Sequence, residues 1–159
     1  MTKQLEKVKT FLNSKRIPYE VVRHPEAFTA QEIAGAAHIP GKMLVKSVIV
    51  RGGDHYLMCV LPAVHLVDFQ KLEKASGMRS LELASEEEIA KLFPDCEVGA
   101  EPPFGDWEGQ HLEVIADKAL TEDREIVFSA GSHGESLKIK FSDYQKLVKA
   151  KFADIGVHI

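Results

Sequence analysis

The stretch that decides the fold runs from Lys42 to Ala63, KMLVKSVIVRGGDHYLMCVLPA. Two apolar, β-branched runs, 44–51 and 55–61, flank Gly52-Gly53-Asp54. A glycine-rich turn between such runs is a strong hairpin signal, because glycine supplies the positive φ angles that a tight turn needs. The pattern predicts a buried hairpin with two lysines, Lys42 and Lys46, at its entrance. A lysine at a strand end ordinarily snorkels to water, so periodicity alone assigns both to the surface.

Upstream, Leu5, Val8 and Leu12 recur at helical spacing with Phe11 beside them, which predicts an amphipathic helix over 3–15. Pro18 closes that region, and Tyr19 to Arg23 reads as a strand. Thr29-Ala-Gln-Glu32 has the capping-box pattern and opens a short helix to about Ala37. Downstream, Asp68 is placed to cap a helix reaching about Ala75, and Arg79 to Leu83 alternates as a strand. Ser85-Glu-Glu-Glu88 opens another helix that must stop before Pro94.

From Pro94 to Gly109 come three prolines, three glycines and the only tryptophan, and so irregular a connection is more often functional than not. Leu112–Ile115, Glu125–Ser129 and Leu137–Phe141 read as strands. Ser142 to Gln145 starts a last helix carrying Leu147 and Val148. Hairpin-joined strands with interspersed short helices predict one α+β domain over 1–159. Its sheet is expected to be mixed, mostly antiparallel and partly closed, flanked by short helices.

The chain has 159 residues, 45% hydrophobic and 28% charged, enough for one globular domain with a real core. No apolar run approaches the ~18 residues of a membrane span. The N-terminus lacks the apolar block of a secretory signal, so a cytoplasmic protein is expected, with Cys59 and Cys96 as free thiols. A net charge of −4 argues against a general nucleic-acid coat protein. The charge is uneven, however. Glu82 to Glu101 holds seven acids and one base, whereas Lys138 to Lys151 holds five lysines and one acid. The N-terminal stretch adds Lys3, Lys7, Lys9, Lys15 and Arg16. A local basic face steers a polyanion even on an acidic protein, and a solvated helix face is the plainer reading.

Several chemistries are excluded by spacing. None of the seven histidines pairs with another ligand at metal-binding spacing, so no metal and no cofactor are expected. Ser132-His133 lacks the GxSxG frame of an exposed nucleophile and reads as a turn. Neither GxGxxG nor GxxxxGK[ST] is present. Three unusual stretches remain: His24-Pro-Glu-Ala-Phe-Thr-Ala-Gln-Glu32, Lys46-Ser-Val-Ile-Val50, and Gly99-Ala-Glu-Pro-Pro-Phe-Gly105.

In that order the three resemble the YbaK/ProRS-type aminoacyl-tRNA editing domains, and the resemblance extends from about Tyr19 to Val148. It includes Val60 to Leu72 (VLPAVHLVDFQKL), the GxxxP loop Gly99 to Pro103, Ser129-Ala-Gly131, and SDYQKL at 142–147. The resemblance implies a stand-alone trans-editing deacylase that hydrolyses the ester of mischarged tRNA, alanine or cysteine on proline tRNA or a related pair. Its partners would be the aminoacylated tRNA 3′ end and a synthetase, with no membrane. The family lysine falls on Lys46, whose implied role is to hold the 3′-terminal adenosine and its phosphate. No covalent enzyme nucleophile is implied. Tyr19, Phe28, Gly99, Ala100, Glu101, Pro103, Ser129 and Gly131 fall on substrate-binding positions. Near Ser136 some cysteine-clearing members have an aspartate where this chain reads Gly-Glu-Ser. The C-terminal segment lacks the His-Pro…Asn pattern of the alanine-clearing branch, although His-Pro…Phe-Thr near residue 24 resembles that branch. A non-catalytic acceptor-end or nucleotide-binding module and a small-ester hydrolase are the competing readings.

Overall fold

The hairpin forms as β2 (Val45–Gly52) and β3 (His55–Pro62), paired antiparallel from Val45↔Pro62 to Gly52↔His55. Only Gly53 and Asp54 make the turn, and Gly53 takes a φ of +60°. The protein is described here by a computed structural model, which covers residues 3–23, 43–107 and 109–158. The expected helix after Thr29, the His24-Pro25 and Phe28 features, and Lys42 lie outside those residues.

Alternation along the hairpin explains why both its runs are apolar. Val45, Ile49, Met58 and Val60 face the main core with Leu5, Val8 and Leu12 of helix α1 (Lys3–Ser14). Val50, Leu57, Cys59 and Leu61 face a second cluster with Leu72 of α2 (Phe69–Ser76) and Ile155. A hairpin covered on both faces has no solvent side to make polar.

Around it lie β1 (Glu20–Arg23), β4 (His65–Val67), β5 (Glu82–Leu83), β6 (Asp106–Trp107) and β7 (Gln110–His111). The chain continues through β8 (Glu113–Asp117), a 3-10 turn at Lys118–Glu122, β9 (Glu125–Ser132) and β10 (Glu135–Lys140). It ends with β11 (Lys151–Ala153) and β12 (Gly156–His158). The helices α3 (Glu86–Leu92) and α4 (Phe141–Leu147) complete the described elements. The larger sheet has the order β11-β8-β3-β2-β5 and the smaller β1-β10-β9, with the two-stranded ribbons β12-β4 and β6-β7 beside them. Most pairs are antiparallel, but β8 runs parallel to both β3 and β11. The fold is thus α+β on mixed sheets, as the sequence predicts.

Two backbone features join the sheets. Leu44, just before β2, bridges Val127 of β9 in parallel. The Val127 N–H donates to Met43 O at 3.0 Å, and the Ala63 N–H donates to Leu44 O at 2.8 Å. The entrance to the hairpin is therefore held by both sheets at once.

The local signals work as read. Ser85 and Glu88 form a reciprocal capping box, and Asp68 accepts from the Lys71 N–H. Several boundaries differ: the strands predicted over 112–115, 125–129 and 137–141 run over Glu113–Asp117, Glu125–Ser132 and Glu135–Lys140, and two further shifts have a visible cause. Of Arg79–Leu83 only Glu82–Leu83 pairs with β2, because Ser80 at φ +55° interrupts the extended run. The last helix starts at Phe141 rather than Ser142, with Lys140 at the N-cap and no side-chain cap bond. Phe141 packs against Phe152 at 5.8 Å, and its N–H donates to Arg124 O, so the chain turns inward one residue early.

Candidate active site where the two sheets part

Lys46 and Ser129 each lie two residues beyond the Leu44–Val127 bridge, where β2 and β9 separate into their own sheets. A period of two returns both side chains to the face that Leu44 and Val127 occupy, away from the main core. Val22, Ser136 and Ser129 follow one another across β1, β10 and β9, so the same face continues over the smaller sheet.

Lys46 is half-buried opposite Leu61. Among the described residues no carboxylate or hydrogen-bond acceptor meets its ammonium, and desolvation by burial lowers its pKa. A partly desolvated cation without a counter-charge is a ready place for an anion, and such perturbed groups concentrate at functional sites.

A second assembly of the predicted residues is the loop from Glu97 to Phe104, for which no contact with Lys46 is seen among the described residues. The β9-β10 ladder pairs Glu135 with Ser132 and then Ser136 with Ser129, which leaves Ala130 and Gly131 as a bulge. That bulge turns a peptide toward the loop. The Glu97 N–H donates to Gly131 O, and the Gly131 N–H donates to Ala100 O, both at 2.9 Å. Gly131 must be glycine twice over: its φ is +89°, and a Cβ there would sit 2.5 Å from the Gln4 Cβ of α1. The structure thus brings Gly99, Ala100, Glu101, Pro103 and Gly131 into one assembly.

Two further side chains clamp the loop. His133, 6% exposed in the β9-β10 turn, donates from Nε2 to Val98 O at 2.9 Å and packs beside Gly99. Buried Tyr144 of α4 donates its hydroxyl to Pro103 O at 2.8 Å. The sequence reading leaves both out of the site. Tyr144 lies inside SDYQKL and His133 two residues after the Ser-Ala-Gly segment, yet no spacing rule links residues 41 and 35 positions from their partners.

The loop offers fewer donors than its length suggests. Pro102 and Pro103 have no N–H, and the Ala100 N–H is engaged by Glu97 O at 3.0 Å. The amides of Val98, Gly99 and Glu101 meet no backbone acceptor among the described residues, and those of Gly99 and Glu101 lie against the Glu101 carboxylate. Gly99 is exposed with a φ of +90°, whereas Ala100 to Pro103 are buried. Glu101 is 4% exposed and its Oε2 has no partner among the described residues. Burial raises its carboxyl pKa, opposed by the nearby amides of Glu101, Gly99 and Ala100 and by the charge of His133. Tyr19 precedes β1 and packs against the main core, and Phe28 lies outside the described residues. Among the described residues no group of three His, Cys, Asp or Glu is arranged for a metal ion. No helix among them is long and apolar enough to cross a membrane.

The chain is similar to parts of known proteins. The proline–tRNA ligase of Thermosipho melanesiensis is 32% identical over 101 residues, 64% of this chain and 17% of the ligase. That of Thiobacillus denitrificans is 31% identical over 116 residues, 71% of this chain and 20% of the ligase. The chain spans about a fifth of the length of the curated relatives it matches. A crystal structure of a candidate trans-editing enzyme for prolyl tRNA synthetase superposes with a TM-score of 0.85 at 22% identity, covering 99% of each chain. At that identity the likeness speaks to the fold. The model of the aminoacyl-tRNA editing domain family matches residues 24–147. That span takes in the Lys46 strand, the glycine-proline loop, and the bulge and helix that hold the loop in place. This chain belongs to the aminoacyl-tRNA editing domain family.

Proposed function

We propose that the protein is a trans-editing aminoacyl-tRNA deacylase. It would clear alanine or cysteine from proline tRNA, or a related mismatched pair, in a single domain over 1–159. The observation that carries this reading is Lys46, half-buried and unpaired among the described residues, beside the parting of β2 and β9. A point charge of this kind suits a phosphate, so Lys46 holds the 3′-terminal nucleotide. Phe28 and Ser129 line the amino-acid pocket in this reading, and Tyr19, packed against the main core, does not.

An aminoacyl ester is already activated, so positioning it and binding its oxyanion accounts for most of the catalysis. Water attacks the carbonyl with a substrate hydroxyl taking up its proton, or the substrate's own side chain attacks first and water then opens the cyclic product. Either way the acyl–oxygen bond to the ribose breaks and the ribose oxygen takes a proton. The products are free amino acid and tRNA with its terminal hydroxyl restored. With the Glu101 carboxylate displaced from them, the Gly99 and Glu101 amides are the donors for the developing oxyanion, each worth roughly 3 kcal/mol at the transition state. No enzyme side chain bonds to the acyl group.

The test is hydrolysis of a panel of mischarged tRNAs, with Lys46→Ala beside the wild type. Removing a charge-assisted hydrogen bond of about 1.5–3 kcal/mol predicts a roughly 10- to 150-fold fall in kcat/KM. The reading fails if the wild type turns over no ester, or if Lys46→Ala keeps full activity. A non-catalytic acceptor-end binder is the second reading, favoured by the Glu101 carboxylate lying against the same amides. Turnover at substoichiometric protein rejects it.

A further inference from the structure

The chain is basic at Lys15-Arg16 and again along Lys138–Lys151, near its opposite ends. Folding brings these stretches together. Lys15, Arg16 and Lys146 line one open cavity of about 390 Å³, with Ile17, Leu147 and a single carboxylate, Asp143. All three cations are exposed, and among the described residues none has an ion pair. Lys7, Lys71 and Lys138 elsewhere on the surface each meet an acid, Asp95, Asp154 and Glu20 respectively.

Arg16 supplies an independent observation. Its φ is +59°. The Ile17 N–H donates to Leu12 O and the Arg16 N–H to Asn13 O, both at 3.0 Å. These two bonds close α1 in a Schellman motif, whose left-handed position is normally glycine. Glycine would close the helix with less strain. An arginine is kept there although its guanidinium makes no compensating contact within the described residues. A residue that breaks a local rule with no internal gain marks a functional surface.

We propose that Lys15, Arg16 and Lys146 form a docking surface for the phosphodiester backbone of tRNA, outside the 3′ end that Lys46 holds. The identity of this polyanion rests on the deacylase reading. Gln4 of α1 lies against Gly131 beside the Gly99 loop. Ten residues of helix, at a rise of 1.5 Å each, put the patch about 15 Å farther along α1. A substrate with its ester at one terminus has the rest of its phosphates available to such a remote surface. Binding there holds the ester without contributing to its chemistry.

The experiment compares wild type with Lys15→Gln/Arg16→Gly/Lys146→Gln and with a control, Lys74→Gln/Arg79→Gln/Lys91→Gln, which removes equal charge from other exposed positions. Binding of uncharged proline tRNA is measured across a salt series, and hydrolysis is measured on a short aminoacylated 3′-terminal oligonucleotide. Each phosphate that the variant no longer neutralises takes ~0.9 off the log–log salt slope, so the patch variant is expected to fall short by about 2–3 in slope and at least ~10-fold in affinity. Its turnover of the short ester stays at the wild-type level, and the control variant binds tRNA as the wild type does. Unchanged tRNA affinity and slope in the patch variant, as for a surface built to meet an acidic protein, overturns the proposal. So does an equal reduction in the control. Binding uses uncharged tRNA, so a wild type that hydrolyses no ester refutes the deacylase reading while leaving the patch test decisive.

Discussion

At the scale of single residues, Lys46 and its surface counterparts differ only in surroundings. Lys7 and Lys71 reach acids in water, whereas Lys46 keeps its charge half out of it and, among the described residues, unpaired. Burial lowers its pKa, so the charged form opposes folding at every pH below that folded value. The opposition disappears as pH rises and the amine becomes neutral in both states. Lys46→Met is therefore expected to melt higher than wild type at neutral pH, by a few degrees at most, while losing the deacylase activity proposed above. The gain narrows toward strongly alkaline pH. Thermal melts across pH check this, and a lower melting temperature for Lys46→Met at neutral pH would contradict it. A site residue whose removal stabilises the fold is what functional strain looks like in a measurement.

At the scale of elements, the loop from Glu97 to Phe104 is held by bonds that differ in what they govern. Tyr144→Phe removes the donor to Pro103 O and leaves a buried carbonyl unsatisfied, a loss of roughly 1–3 kcal/mol. Under the proposed deacylase reading the expected kinetic effect is a lower kcat well below the melting temperature, because the loop that carries the proposed oxyanion donors loses an anchor. A variant that melts lower yet keeps wild-type kcat would reduce Tyr144 to a structural role. Gly105 separates stability from catalysis in the other direction. A Cβ there would lie 2.2 Å from Leu112 O and 2.7 Å from Val114 Cγ2, where β8 begins. A backbone oxygen has nowhere to go, so Gly105→Ala is expected to destabilise by about 3 kcal/mol or more. Urea unfolding measures that loss, and a variant within about 0.5 kcal/mol of wild type would show that the loop yields easily.

At the scale of the whole molecule, the β2-β3 hairpin is the most protected part of the described structure. Cys59 on β3 is fully buried in the second cluster, and burial pushes its thiol up to about 12. Cys96 is only partly buried. A thiol-specific reagent at mildly alkaline pH should therefore label Cys96 alone in the native protein. Cys59 should label only as the hairpin opens, at a rate that falls with global stability. Two rapidly reacting thiols would mean that the central sheet opens far more readily than its packing implies.

What the sequence alone determined is local. The hairpin is legible because Gly52-Gly53-Asp54 and its flanking apolar runs act within a few residues. The caps at Asp68 and Ser85 are legible for the same reason, since each hydroxyl or carboxylate bonds an amide three positions away. Lys46 is legible through its place in an ordered set of motifs, although its residue type and strand-end position describe any surface lysine. The tertiary structure decided the rest. The parallel seat of β8 on β3, the bulge that carries Gly131 to Ala100, and the clamps from His133 and Tyr144 depend on distant segments meeting. So does the convergence of Lys15 and Arg16 with Lys146. Hydrophobic periodicity reports which face of an element is buried, but not what it is buried against. The desolvation of Lys46 and the engagement of the Gly99-loop amides are set by those neighbours, and so only folding could specify them.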